Sequence, residues 1–187
     1  MNLNYKIFKN NMEQRVIFDT SIYPLLVDDK KLSEKELEEF QLKIKSDKSF
    51  QVFGINIIRR ELKNTFHYDP HLLRILLKVY ELIKEKEYDA DRKIVDLAEK
   101  YYENYKSLKG RKSYKELETD LMIVACATLK NVDIVVSTDR ETMSMDEIGK
   151  IFREAYHNVN VVEGHRDSNF WQYKDLKLRF GFFKKEP

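Results

Sequence analysis

The chain has 187 residues, 42% apolar and 35% charged, a globular rather than a disordered composition with enough length for one domain and a full hydrophobic core. Its net charge of +2 neither argues for nor excludes nucleic acid, because a local basic groove can hide in a balanced total. A single cysteine, Cys126, excludes a disulfide framework within the chain.

The first segment, "MNLNYKIFKNN", is polar and lacks the apolar stretch of a signal peptide, so residues 1–14 read as an N-terminal extension. "VIF" (Val16 to Phe18) reads as a short buried strand. Ser33 to Lys45 reads as a helix, with Ser33 as N-cap, Glu36 as its capping-box partner, and Leu37, Phe40 and Ile44 on one face. "SFQVFG" is a second strand and "INIIRRELKNTF" a second helix. Asp69-Pro70 opens a longer helix, since Asp caps and Pro suits the first turn. Another long helix runs to about Leu108, and the two read as an antiparallel hairpin that turns near Tyr88 to Asp91.

After the basic loop "KGRKS" comes "YKELETDLMIVACATLKN", apolar enough on most faces to be a central helix. Its run Leu121 to Leu129 is about half the length of a membrane span, and Cys126 within it reads as core. "VDIVVSTD" is the clearest buried strand. A helix near Asp146 to Tyr156 and a strand "NVNVVEG" follow. The tail, "FWQYKDLKLRFGFFKK", alternates at Leu176, Leu178 and Phe180 as one more strand would. Helices between short apolar strands predict an α/β domain with a mainly parallel sheet.

Open parallel sheets bind ligands at the carboxyl ends of their strands. Asp19 follows "VIF" and Asp139 follows "IVVST", so both fall on that edge. Asp120 begins the apolar part of the central helix, and Glu61 lies on the short helix after "QVF". Read singly, these acids are turn, cap or solvated charges; read together, two strand exits and a helix start converge on one edge. Four such carboxylates would raise one another's pKa. Hard divalent cations, Mg²⁺ or Mn²⁺, remove that penalty through oxygen ligands. With a water activated on the metal and no other evident nucleophile, phosphodiester hydrolysis is the expected chemistry.

The ordered set "VIFDTSIY", "IIRREL" and "TDLMIVACATLKNVDIVVSTDRE" resembles the PIN-domain nucleases over roughly Arg15 to Val162. The resemblance implies a PIN-like three-layer sandwich with a mainly parallel central sheet, a long helical hairpin and a C-terminal aromatic-basic extension. Domain bounds on this reading are 15–163 for the nuclease domain and 164–187 for the extension. It implies that Asp19, Glu61, Asp120 and Asp139 are the catalytic and metal-binding quartet, with Ser21, Ser137 and Glu141 in support. It also implies a metal-dependent endoribonuclease, either a VapC-type toxin with an antitoxin partner or an RNA-processing enzyme; a homodimer is a separate candidate association. The N-terminal extension, long helices and aromatic tail depart from a minimal toxin.

Arg59, Arg60, Arg111, Lys112 and Arg140 lie close in sequence to the acids and are candidate contacts to RNA phosphates, against the alternative of ordinary solvated charge. His67 and His71 have the spacing of a metal pair, but Pro70 puts the helix start between them; His157 and His165 lack a partner in the sequence. Phe170, Trp171, Tyr173, Phe180, Phe182 and Phe183 are candidate core of an added strand, or else stack on bases or form a dimer contact. A haloacid-dehalogenase-type phosphatase would need a second acid where Ser21 stands. An inactive RNA- or protein-binding module is the other alternative. A cytoplasmic, membrane-free location is expected, and abundant Lys, Glu, Ile and Tyr hint at a thermophile.

Overall fold

The computed structural model describes residues 13–143, 145 and 149–183. In chain order these form β1 (Gln14–Phe18), α1 (Ile22–Val27), α2 (Glu34–Ser46), β2 (Phe50–Ile55), α3 (Asn56–Thr65), α4 (Pro70–Ile83) and β3 (Lys86–Tyr88). Then follow α5 (Arg92–Ser107), α6 (Tyr114–Leu129), β4 (Ile134–Ser137), α7 (Lys150–Glu163), β5 (Asn169–Gln172) and α8 (Tyr173–Phe180). The expected N-terminal extension lies outside the described residues except for Glu13 and Gln14, and Gln14 already belongs to β1.

All strand pairings are parallel, in the order β3-β2-β1-β4-β5. From β1 the chain steps one way to β2 and β3, then crosses back to β4 and steps the other way to β5. Right-handed crossovers therefore place α1, α2 and α4 on one face and α5, α6 and α7 on the other. Packing agrees: α4 lies on α1, α2 and α3, while α5 lies on α6 and α7. The direction of winding reverses between β1 and β4, and the crevice at their carboxyl ends is where such sheets take ligands.

The core explains the strand sequences. Val16, Ile17, Phe18, Val135 and Val136 are fully buried, since central parallel strands are covered on both faces. On α6, every residue from Leu121 to Thr128 is buried, which fits its low amphipathicity and its place between sheet and α5. Capping follows expectation at α2, where Ser33 and Glu36 form the reciprocal box, and at α4, where Asp69 accepts from His71 and Leu72 N–H.

Four expectations are corrected. The two long helices do not form the predicted hairpin: β3, which was not anticipated, joins the sheet between them, and the long helical hairpin is α5 with α6. "NVNVVEG" is not a strand but the last turns of α7, ended by Gly164 in the left-handed region at φ 73°. Its Val161 and Val162 are exposed while Asn160 is buried, so the alternation carried no strand face. "LKLRF" is also helical, in α8, where Leu176 is buried and Leu178 is 44% exposed. The tail does add a strand, but earlier, as β5. Ile55, read as helical, ends β2, and α1 was not foreseen. The helix placed near Asp146 begins, among the described residues, at Lys150.

The tail aromatics are largely core, as the first of their two readings had it: Phe170, Tyr173 and Phe182 are buried, and Phe50 meets Trp171 and Phe180. Lys177 pairs with buried Asp29 at 2.8 Å and Arg179 with Asp47 at 3.1 Å, binding α8 to the α1–α2 side. Among the described residues no helix is long and apolar enough to cross a membrane.

Candidate active site

Parallel register puts Phe18 beside Val136, so Asp19 and Ser137 leave the sheet side by side at the crevice. Asp19 is held from several directions. Its Oδ1 accepts the Thr20 N–H at 2.7 Å, and its Oδ2 accepts the Ser21 hydroxyl at 2.6 Å and the Ser137 hydroxyl at 2.8 Å. The two serines also tie the strand exits together. Ser21 Oγ accepts the Thr138 N–H at 3.1 Å and Ser137 Oγ accepts the Asp139 N–H at 2.9 Å. The supporting role expected of Ser21 and Ser137 thus has a geometric basis: both orient Asp19, and Ser137 also fixes the backbone at Asp139.

Glu61 enters from α3, where its Oε2 accepts the Thr20 hydroxyl at 2.6 Å. Asp120 enters from the second turn of α6, and its Oδ2 accepts the Thr142 hydroxyl at 2.9 Å. The sequence assigns no role to Thr20 and does not single out Thr142. Thr20 adjoins Asp19, and a hydroxyl next to a strand-end acid was the available signal. Thr142 reaches Asp120 only through the fold, 22 residues away.

The electrostatics bring the four acids together. Burial pushes the Asp120 carboxyl well above the usual carboxylate range, and the charges of Asp19 and Asp139 push it further. The Thr142 hydroxyl opposes this and Glu61 adds to it. Burial likewise raises Asp19, against the hydroxyls of Ser21 and Ser137 and the Thr20 N–H. Burial raises Glu61, with Thr20 opposing, Asp19 reinforcing and Arg60 opposing. Asp120 thus lies within electrostatic reach of Asp19, Asp139 and Glu61, the other three acids singled out in the sequence.

That crevice fits a hard cation in donor chemistry. All its acidic donors are carboxylate oxygens, the set that suits Mg²⁺ or Mn²⁺. Among the described residues, however, no group of three or more His, Cys, Asp or Glu side chains forms a ready cation cage. The four acids instead rest on hydroxyls and on the backbone: Asp139 Oδ1 accepts the Glu141 N–H at 2.7 Å.

The rim divides the other candidates. Glu141 is exposed, and its carboxylate pairs with Lys112 at 2.5 Å. That contact is the main cause raising the Lys112 pKa, with Asp139 and Asp120 contributing beyond it. Arg60 faces Glu61 electrostatically and is exposed, as are Arg111 and Arg140. Arg59 is turned elsewhere, to Glu81 at 2.5 Å and Glu87 at 3.0 Å, over the Tyr80 ring. His67 bonds the Asn64 carbonyl rather than His71. His157, which lacked a partner in the sequence, meets Asp167 at 2.5 Å.

A parallel five-stranded sheet flanked by helices, with an acid at each central strand exit and one on each flanking helix, defines a PIN-like α/β fold. The solved structures agree. The chain is similar to one in the crystal structure of VapBC2 from Rickettsia felis bound to a DNA fragment from their promoter, with a TM-score of 0.54 and 12% identity over 85% of this chain and 98% of that one. It is also similar to a chain of DNA-bound VapBC from Salmonella typhimurium, with a TM-score of 0.51 and 15% identity over 86% of this chain and 98% of that one. No protein-family model and no curated protein matches the sequence.

Proposed function

We propose that this chain is a metal-dependent endoribonuclease of the VapC-like kind. The observation that carries the reading is the meeting of the β1 and β4 exits where the sheet reverses its winding, with Asp19 held by Ser21 and Ser137 and the Asp139 backbone fixed by Ser137. Asp19, Glu61, Asp120 and Asp139 would hold Mg²⁺ or Mn²⁺, which supplies Lewis acidity toward a phosphate and lowers the pKa of water. Ser21 and Ser137 hold Asp19 at one angle and leave an acceptor position on its Oδ1. Thr20 and Thr142 do the same for Glu61 and Asp120. Arg60, Arg111 and Arg140 would meet the phosphates of the strand, and Lys112 would do so on leaving Glu141. A VapBC-like protein partner follows from the assemblies that the structural neighbours form, and a homodimer is a second proposed association.

The test is cleavage of total cellular RNA with and without divalent ions, wild type against Asp120→Asn, with product ends mapped. Cation-dependent cleavage lost in the variant supports the reading; cleavage by Asp120→Asn at saturating Mn²⁺ overturns it. One observation favours a non-catalytic binding module instead, namely the lack of a ready cage among the described residues. Titration with millimolar Mg²⁺ and Mn²⁺ separates the two, since the inactive module predicts no binding. The phosphatase alternative loses ground because Ser21, where it needs an acid, donates its hydroxyl to Asp19.

A further inference from the structure

A cavity of about 340 Å³ opens between α3, the start of α5 and α6, outside the acid cluster. Ile57, Val95 and Met122 give it apolar patches, but its accessible lining is more polar than apolar, through Arg60, Tyr114 and Glu118. That size is at the lower end of small-ligand sites, and the polar lining suits a flat ligand with hydrogen-bonding edges. Its walls are firm: Ile57 and Met122 are buried, and the Asn56 amide bridges Asp89 and the Ala90 N–H at 3.1 Å each. Tyr114 is held edge-on against Tyr102 with ring centroids 5.2 Å apart. The Glu118 side chain makes no hydrogen bond or ion pair among the described residues, and its charge is felt by Tyr114.

The cavity and the acid cluster share two helices. On α3, Ile57 and Glu61 stand four residues apart on one row, so the row that lines the cavity continues into the cluster after one turn, about 6 Å. On α6, Tyr114, Glu118 and Met122 form one stripe at four-residue spacing, while Asp120 leaves the other side of that helix, so the link from cavity to acids runs along α3. Arg60 lines the cavity and its charge acts on Glu61, so a strand with its phosphate at the acids would reach the recess along α3.

We propose that this cavity receives one unpaired nucleobase of the RNA strand, read by Tyr114 and Glu118; this rests on the endoribonuclease reading above. Tyr114 offers an aromatic surface to the base. Glu118 accepts hydrogen bonds and so selects a base that presents an amino group or ring N–H. Arg60, at the rim, meets the adjoining phosphate or sugar. A base within a duplex is stacked and cannot enter, so the recess restricts cleavage to single-stranded or extruded nucleotides.

The experiment maps cleavage sites of wild type, Glu118→Gln and Tyr114→Leu on total RNA, scoring the ratio of cuts beside one base to cuts beside the others. A ratio taken within one digest is not mimicked by a fall in overall rate. Wild type is expected to favour one base at least tenfold, and either variant to reduce that ratio at least fivefold. In a binding arm, each of the four nucleoside monophosphates is titrated against protein labelled at its methionine methyls, with the Met122 signal assigned through Met122→Leu. The preferred nucleotide is expected to move the Met122 signal in wild type and not in Glu118→Gln. Cleavage with ratios unchanged in both variants and no Met122 response overturns the pocket and leaves the nuclease reading standing. No cleavage in Mg²⁺ or Mn²⁺, with a Glu118-dependent Met122 response, overturns the nuclease reading and leaves the base pocket standing.

Discussion

Asp120→Asn separates the electrostatic account of the crevice from a purely structural one. The substitution is nearly isosteric, and the amide oxygen can still accept the Thr142 hydroxyl, which lies 2.9 Å from Oδ2. What it removes is a charge that burial and the neighbouring Asp19 and Asp139 disfavour. The folded-state pKa of Asp120 is raised above its unfolded value of about 3.9. Its favourable contribution is therefore fully present below that unfolded pKa and is lost as pH rises through the folded one. The raised Asp19 and Glu61 carboxyls change stability in the same direction. At neutral pH the wild type thus carries a penalty that the asparagine lacks.

A buried group left without full compensation costs about 1–3 kcal/mol, and water reaching the partly exposed Asp120 trims this toward the middle of the range. About 2 kcal/mol corresponds to a melting midpoint higher by roughly 4–8 °C in a chain of this size. Circular-dichroism melts in chelator across the range from acid to neutral pH measure it. The variant should gain on wild type as pH rises and match it in acid. Millimolar Mg²⁺ or Mn²⁺ should then raise the wild-type midpoint by mass action and leave the variant nearly unmoved. A variant less stable than wild type at neutral pH, or a difference independent of pH, would refute the reasoning.

Ser137→Ala should cost about 1–3 kcal/mol, because it strips Asp19 Oδ2 of one donor and the Asp139 N–H of its acceptor inside a fully buried site; the urea midpoint reports it, and an unchanged midpoint would show that the strand exits are not tied there. Tyr101→Phe removes a buried hydroxyl that donates to Asn160 at 2.6 Å and lies 3.0 Å from Thr128, joining α5, α6 and α7. A loss of about 1–2 kcal/mol in chemical denaturation is expected, and no loss would mean that water replaces the phenol. Gly54→Ala would place a methyl 2.2 Å from the Tyr80 hydroxyl, whose partners are Glu87 and the Ile55 carbonyl. Overpacking of about 1–3 kcal/mol should follow, read as a lower melting midpoint; a neutral result would show that the Tyr80 ring shifts freely.

Much of this site was legible in the sequence because its strands announce themselves. "VIFD" and "IVVSTD" are apolar runs ended by an acid, and a buried parallel strand leaves few other places for such an acid than the ligand edge. Asp120 was legible for a similar reason, as a carboxylate beside a continuously apolar helix. The same local logic failed where two periods compete. "NVNVV" alternates as a strand does, yet the preceding Phe152, Ala155 and Tyr156 carry the helical stripe through to Asn160. "LKLRF" failed likewise, because its arginine and lysine are anchored by Asp47 and Asp29 from a distant part of the chain. A three-residue edge strand such as β3 carries too short a pattern to read at all.

Local chemistry along the chain thus determined which residues could be buried, which caps would close, and which carboxylates would meet the ligand edge. Only the tertiary structure decided which groups answer those carboxylates. Thr142 reaches Asp120, Lys112 occupies Glu141 and Arg59 turns away to Glu81 and Glu87, although all the basic candidates look alike in sequence. The cavity beside the cluster was equally invisible, since its walls come from three segments that meet only when α5 and α6 fold over the end of α3. Burial and hydrogen-bond satisfaction act over a few ångströms in space, and sequence records those distances only where neighbours in space are also neighbours in the chain.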